Sequence, residues 1–181
     1  MRVISGEYKG RKLYSPQTDD VRPTTDRVKE AIFSILAPDI DDTVVLDLFA
    51  GSGSLGIEAL SRGAAFVYFC DNSERSISLV RQNVEMLDIS EKASIINCDY
   101  RKVKTRISKK VDIVLIDSPY HLCDYPDILI SLRDGEFLSD SALIVIERVS
   151  KSGGYDVPDM FSLIKTKKYG NTEVDVLLLM E

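Results

Sequence analysis

The stretch from Val44 to Gly63 constrains this chain more than any other part of it. A short apolar run, Val44-Val45-Leu46, ends in Asp47 and passes into Gly51-Ser52-Gly53-Ser54-Leu55-Gly56. Residues 54 to 62 then read as a helix stopped by Gly63. A buried strand, a glycine turn and a helix in direct succession open a βαβ unit. The remainder repeats the theme. Apolar runs at 66–70, 93–97, 111–116 and 142–146 predict four more strands, and 161–168 and 172–180 predict two more. Between them, 73–87 carries Ile77, Val80, Val84 and Leu87 on one helical face, 125–133 reads as a helix, and about 100–107 is a basic helix or loop. Such alternation predicts a mostly parallel sheet covered on both faces. Only Tyr169-Gly170-Asn171 separates the last two strands, so they form a hairpin that makes one edge strand antiparallel.

Upstream, residues 2–14 read as a small β-hairpin around Glu7-Tyr8-Lys9-Gly10. A polar linker with Pro16 and Pro23 follows, then a helix with Val28, Ala31, Ile32 and Ile35 on one face, capped by Thr24 or Thr25 and ended by Pro38. The 181 residues suit a single domain, with 1–23 as hairpin and linker and 24–181 as core. No run approaches the roughly 20 apolar residues of a membrane span, and Met1 to Gly6 lack the apolar run of a leader. Cys70, Cys98 and Cys123 show no CxxC spacing, so no zinc site or disulfide framework is expected, and a reducing cytoplasm fits. A lone histidine, His121, rules out a multi-histidine metal site, and no metal is expected. His121 itself reads as a loop residue before it reads as an RNA ligand or proton acceptor.

The glycine turn fits two classes of ligand. A dinucleotide would set its pyrophosphate on the helix N-terminus, and an acid inside the turn would repel it. S-adenosylmethionine has no phosphate, and its ammonium and sulfonium are cationic. Asp47 suits that ligand, directly or through water, unless it simply caps the turn. Asp71, followed by Asn72, closes the next strand about 20 residues on, where a ribose diol would need a carboxylate. Asp99, after Cys98, could accept from the adenine amine or merely cap the next helix. The predicted cofactor residues are therefore Asp47, Leu48, Phe49, Ala50, Gly51, Ser52, Gly53, Asp71, Asn72, Cys98, Asp99 and Asp117.

Asp117-Ser118-Pro119-Tyr120 follows the most hydrophobic strand. An exocyclic amine of a base is a poor nucleophile because its lone pair is delocalised into the ring. The Asp117 carboxylate and the Ser118 carbonyl could both accept from such an amine and aim it at a methyl donor. Pro119 holds Ser118 extended, and Tyr120 could stack on a flipped base. The competing reading is a strand-end turn with a surface tyrosine.

Net charge is −6, yet basic residues cluster. Arg2, Lys9, Arg11 and Lys12 face Glu7 alone within residues 1–12, and Arg101, Lys102, Lys104, Arg106, Lys109 and Lys110 lie in a stretch without an acid. Lys165, Lys167 and Lys168 form a smaller group. Basic segments on an acidic body can bind phosphates or can be solvated surface.

Taken together, Gly10-Arg11-Lys12-Leu13, the string Arg22 to Glu30, the run Leu46 to Gly63 and Asp117-Ser118-Pro119-Tyr120 resemble the bacterial small-subunit (16S) ribosomal RNA guanine-N2 methyltransferases of the RsmD type. The glycine loop is common to many methyltransferases; Arg22-Pro23-Thr24-Thr25-Asp26-Arg27 beside it is more specific. The resemblance implies a class I, Rossmann-like methyltransferase fold of seven strands with an N-terminal β-hairpin extension. It implies one 16S guanine methylated on N2, in an assembled small-subunit particle, by an enzyme expected to be a monomer. Arg22, Thr24, Thr25 and Arg27 would touch RNA or close over the cofactor, and Arg2, Lys9, Arg11 and Lys12 would grip phosphates. The family motif is usually Asp-Pro-Pro followed by Tyr or Phe. Ser118 replaces the first proline, which keeps the carbonyl, lowers rigidity and adds an N–H. Three rivals stand beside this reading: an adenine-N6 DNA methyltransferase, which lacks a visible target-recognition domain here; a protein-glutamine methyltransferase; and a non-catalytic RNA-binding module, whose mark would be loss of the glycine loop or of the acid at 117.

Overall fold

The computed structural model describes residues 1–16, 26–118, 124–150 and 153–180. In chain order the elements are α1 (Asp26–Leu36), β1 (Val44–Asp47), α2 (Ser54–Ser61), β2 (Phe66–Asp71), α3 (Glu74–Met86), β3 (Ala93–Asn97), β4 (Val111–Asp117), α4 (Tyr125–Asp134), β5 (Leu138–Val149), β6 (Phe161–Tyr169) and β7 (Thr172–Leu179). A 3-10 helix, Tyr100–Arg106, occupies the basic stretch between β3 and β4.

One sheet of order β3-β2-β1-β4-β5-β7-β6 runs through the molecule. β1 to β5 pair in parallel, and β7 pairs antiparallel with both β5 and β6. The order reverses between β1 and β4, which is where open α/β sheets form their ligand crevice. Alternate residues of each strand feed two cores. Val45, Val67, Phe69, Ile113, Leu115 and Val145 pack under α1, α2 and α3. Leu46, Tyr68, Val114, Ile116, Ile144 and Ile146 pack on the other face, against α4.

Three expectations are corrected. The antiparallel strand is not the edge strand but β7, one place in. β7 buries Val174, Val176 and Leu177, whereas β6 is almost wholly exposed and carries Lys165, Lys167 and Lys168. A lysine-rich strand suits an edge, where its charges resist further pairing. β5 is longer than the apolar run 142–146, because Leu138 pairs with Val111 ahead of a bulge. Residues 2–14 do double back, yet they hold a single bridge, Arg2 to Lys12, in place of two strands. Val3 N donates to Arg11 O at 3.0 Å, Gly10 N to Val3 O at 2.9 Å and Leu13 N to Met1 O at 3.0 Å across the arm, and other amides are satisfied outside it. Ile4 and Ser5 donate to Glu58 Oε2 and Oε1 at 2.8 and 3.0 Å, Tyr8 donates to Ser61 Oγ at 3.0 Å, and Tyr14 donates to Asn83 Oδ1 at 2.7 Å. Side chains of α2 and α3 thus supplement a short cross-arm ladder, while Val3 and Leu13 anchor this arm in the core.

Candidate active site at the carboxyl edge of the sheet

β1, β2, β3 and β4 end on one edge, and their last residues carry most of the predicted chemistry. Asp47 pairs in register with Phe69 and Leu115, so Asp71 and Asp117 each lie two residues further along the flanking strands and on the same face as Asp47. Asp117 in turn pairs with the buried Glu147 on β5. Four carboxyl groups therefore ring the switch point.

The loop after β1 is built by its neighbours. Leu48 N donates to Leu115 O at 3.0 Å and Ala50 N to Cys70 O at 2.9 Å, so the chain arches over the ends of both adjacent strands. Gly51 and Gly53 have φ of 56° and 79°, in the left-handed region that side chains resist. Gly51 N donates to Asp71 Oδ2 at 2.9 Å, and Ser73 N donates to Asp71 Oδ1 at 2.8 Å. A Cβ on Gly51 would meet nothing within 4 Å, so the loop presents bare backbone to open space. Gly56 has the opposite environment: a Cβ there would lie 2.3 Å from Phe69 Cε1, which is why α2 can press directly on β2.

Asp47 is 1% exposed, and its Oδ2 accepts from Gly56 N at 2.9 Å. Burial above all raises its pKa to about 7; the Gly56 bond opposes the rise, and the charges of Asp117 and Asp71 add to it. An arrangement that already pushes one carboxyl toward its neutral form repels an anion and accommodates a cation. The residues present therefore fit the cationic S-adenosylmethionine and not a pyrophosphate.

Asp99 caps the 3-10 helix, accepting from Arg101 N at 2.9 Å, and stays half-buried beside Cys98. Asn72 is exposed next to Asp71. Phe49 and Tyr100 stand 5.8 Å apart, one after β1 and one after β3. Tyr100, which no sequence motif singles out, donates its hydroxyl to Asp127 Oδ2 at 2.6 Å. Ser118 is buried and Asp117 half-buried. Pro119, Tyr120 and His121 lie outside the described residues, as do Arg22, Thr24 and Thr25. Among the described residues no group of three or more His, Cys, Asp or Glu could hold a metal ion, and no helix is long and apolar enough to cross a membrane.

Over residues 1–178 the chain fits the family described as "Conserved hypothetical protein 95". It is 36% identical to ribosomal RNA small subunit methyltransferase D of Escherichia coli over 94% of this chain and 85% of that one. The Haemophilus influenzae protein of the same name is also 36% identical, over 94% and 89%. This chain belongs to the ribosomal RNA small subunit methyltransferase D family. The solved structure of Escherichia coli yhhF superposes with a TM-score of 0.89 at 33% identity, covering 99% of this chain and 98% of that one. The family's fold is thus the Rossmann-like class I methyltransferase fold seen here.

The basic arm lies beside this edge. Met1 Sδ sits 3.7 Å from Ser52 Oγ in the glycine loop, and the turn at Glu7 and Tyr8 reaches Ser61 at the far end of α2. Arg2 pairs with Asp26 at 3.0 Å, Arg11 donates to Met86 O at 3.4 Å, and Lys9, Lys12 and Arg27 are exposed. Under the arm runs a buried ionic cluster that sequence motifs do not announce. Lys29, 1% exposed, reaches Arg2 O at 2.6 Å, Ser54 Oγ at 3.0 Å and Glu58 Oε2 at 3.5 Å, and Arg62 closes on Glu58 Oε1 at 2.8 Å. Burial lowers the Lys29 pKa, and Glu58 counters that. One signal for it is present in the chain: a glutamate in a helix buried on every side requires a buried cation.

Proposed function

We propose that this chain uses S-adenosylmethionine to methylate the exocyclic N2 of a guanine in 16S ribosomal RNA, in the assembled small subunit. One observation supports the reading above all: Asp47 pairs with Leu115, so β4 ends in Asp117 two residues beyond it, next to the strand that leads into the glycine loop and at the switch point of the sheet. When bound, S-adenosylmethionine supplies an electrophilic methyl group on a sulfonium. The residues proposed to hold it are Asp47 to Gly53, Asp71, Asn72, Cys98 and Asp99, with Asp117 at the border with the acceptor.

Asp117 and the Ser118 carbonyl accept from the two N–H groups of the amine, which aims its lone pair and favours the geometry in which that lone pair is available. Alignment of this kind can contribute on the order of several kcal/mol to the rate. When nitrogen gains the methyl group it must lose one proton, which passes to Asp117 or to water. The arm's Arg2, Lys9, Arg11 and Lys12, together with Arg22 to Arg27, serve the RNA.

The test is transfer of tritiated methyl groups to small subunits that lack the modification, followed by nucleoside mass spectrometry. N2-methylguanosine is expected; N6-methyladenosine would overturn the choice of base. Asp117→Ala should lower turnover by a factor on the order of 10² or more, with a much smaller change in cofactor affinity. Near-normal turnover in that variant would remove Asp117 from the role given to it.

A further inference from the structure

Asn83 lies in the last turn of α3, is 0% exposed, and has none of the predicted chemistry. Its carboxamide is spent entirely on backbone. Oδ1 accepts from Tyr14 N at 2.7 Å, while Nδ2 donates to Tyr14 O and to Ser52 O, each at 2.9 Å. Tyr14 is the base of the basic arm, and Ser52 is the centre of the glycine loop. A single amide thus joins the proposed RNA-binding arm to the proposed cofactor loop.

The join fixes a particular peptide plane. The Ser52 carbonyl and the Gly53 N–H belong to the same peptide and point in opposite directions. The carbonyl is held by Asn83, and the N–H donates to Ala50 O. The plane is locked at both ends, at a point where Gly53, one of its two flanking residues, and Gly51, just upstream, could otherwise swing freely. A second tether, Lys29 from Arg2 O to Ser54 Oγ, ties the arm's other limb to the first residue of α2. Leu13 N donating to Met1 O at 3.0 Å and the Arg2–Lys12 bridge join the two tethers across the arm.

We propose that Asn83 is a positioning residue that couples the two ligands: RNA seated on the arm steadies the glycine loop, and cofactor on the loop steadies the arm. This rests on the function proposed above. Coupling of this kind is reciprocal, so each ligand tightens the other by the same factor.

The experiment measures S-adenosylmethionine affinity by calorimetry with and without small subunits lacking the methyl group. Wild-type protein should bind cofactor about fivefold or more tightly on the subunit. In Asn83→Ala that ratio should fall close to one, with KM for cofactor raised and kcat at saturation changed far less. A variant that keeps the wild-type ratio overturns the proposal, as does a wild-type ratio of one. If Asn83→Ala does not fold, hydrogen exchange on the wild type decides the matter. Added small subunits should protect the amides of residues 51–53, and unaltered exchange there refutes the coupling. Absence of methyl transfer by wild-type protein would instead refute the proposed function, so the two failures are told apart.

Discussion

Asp47 is a carboxyl group held where water does not reach it, and its position explains why it titrates where it does. Its pKa is raised from 3.8 to about 7, first by burial and then by Asp117 and Asp71. The native state therefore holds a proton here that the unfolded chain has already released. Between pH about 4 and 7 this costs stability progressively as pH rises, and above 7 the cost is constant. A bound cation reverses the preference and expels the proton. Cofactor affinity should accordingly rise as pH is raised toward 7 and level off above it, with proton release on binding at pH about 6 and little at pH about 8. Calorimetry in two buffers of different ionisation heat reads both quantities. Asp47→Asn, which keeps an acceptor for Gly56 N, should flatten the profile. A wild-type affinity independent of pH across this range would contradict the account.

α2 is the element on which arm, loop and sheet converge. All eight of its residues are buried, and Gly56 gives it contact with Phe69. Gly56→Ala should cost about 1–3 kcal/mol through overpacking, lowering the thermal midpoint by roughly 2–4 °C per kcal/mol. An unchanged melting curve would mean that Phe69 moves aside freely. The elements are legible in the sequence to different degrees for a physical reason. Parallel strands buried on both faces appear as uninterrupted apolar runs, so β1 to β4 stand out with nearly correct limits. The arm reads as a hairpin and doubles back as one, yet it pairs at one bridge in place of two strands, and other amides find partners on Glu58, Ser61 and Asn83, which are 53 to 69 residues away in sequence. Local turn chemistry carries no trace of such partners. Asn83 nonetheless sits in phase with Val80, Val84 and Leu87, and a polar residue on an apolar face is the available clue.

At the level of the whole molecule, the acidic carboxyl edge and the basic arm divide the work that net charge conceals. The ring of acids is legible because most of its members close an apolar run. The buried Lys29–Glu58–Arg62 cluster is not, because pairing across helices depends on how they pack. Lys9 and Lys12 are exposed on the arm. As phosphate ligands they would make binding salt-dependent. Lys9→Ala with Lys12→Ala should then weaken binding to small subunits and reduce the slope of log affinity against log salt by about 0.7–0.9 for each phosphate no longer neutralised. Equal slopes for variant and wild type would assign the electrostatics to other residues, the exposed Lys102, Lys104 and Arg106 foremost.

The placement of the arm also has a consequence during synthesis. Residues 1–14 are made before α3, and Tyr14 has no Asn83 to bind until the chain is 69 residues longer. At about 5–20 residues per second, the Asn83 bond waits roughly 3 to 14 s, until the glycine loop and α3 have both been made. A nascent chain of this protein thus lacks the bond that holds the base of its basic segment until β1, the glycine loop, β2 and most of α3 have been translated, with β3 and β4 still to follow.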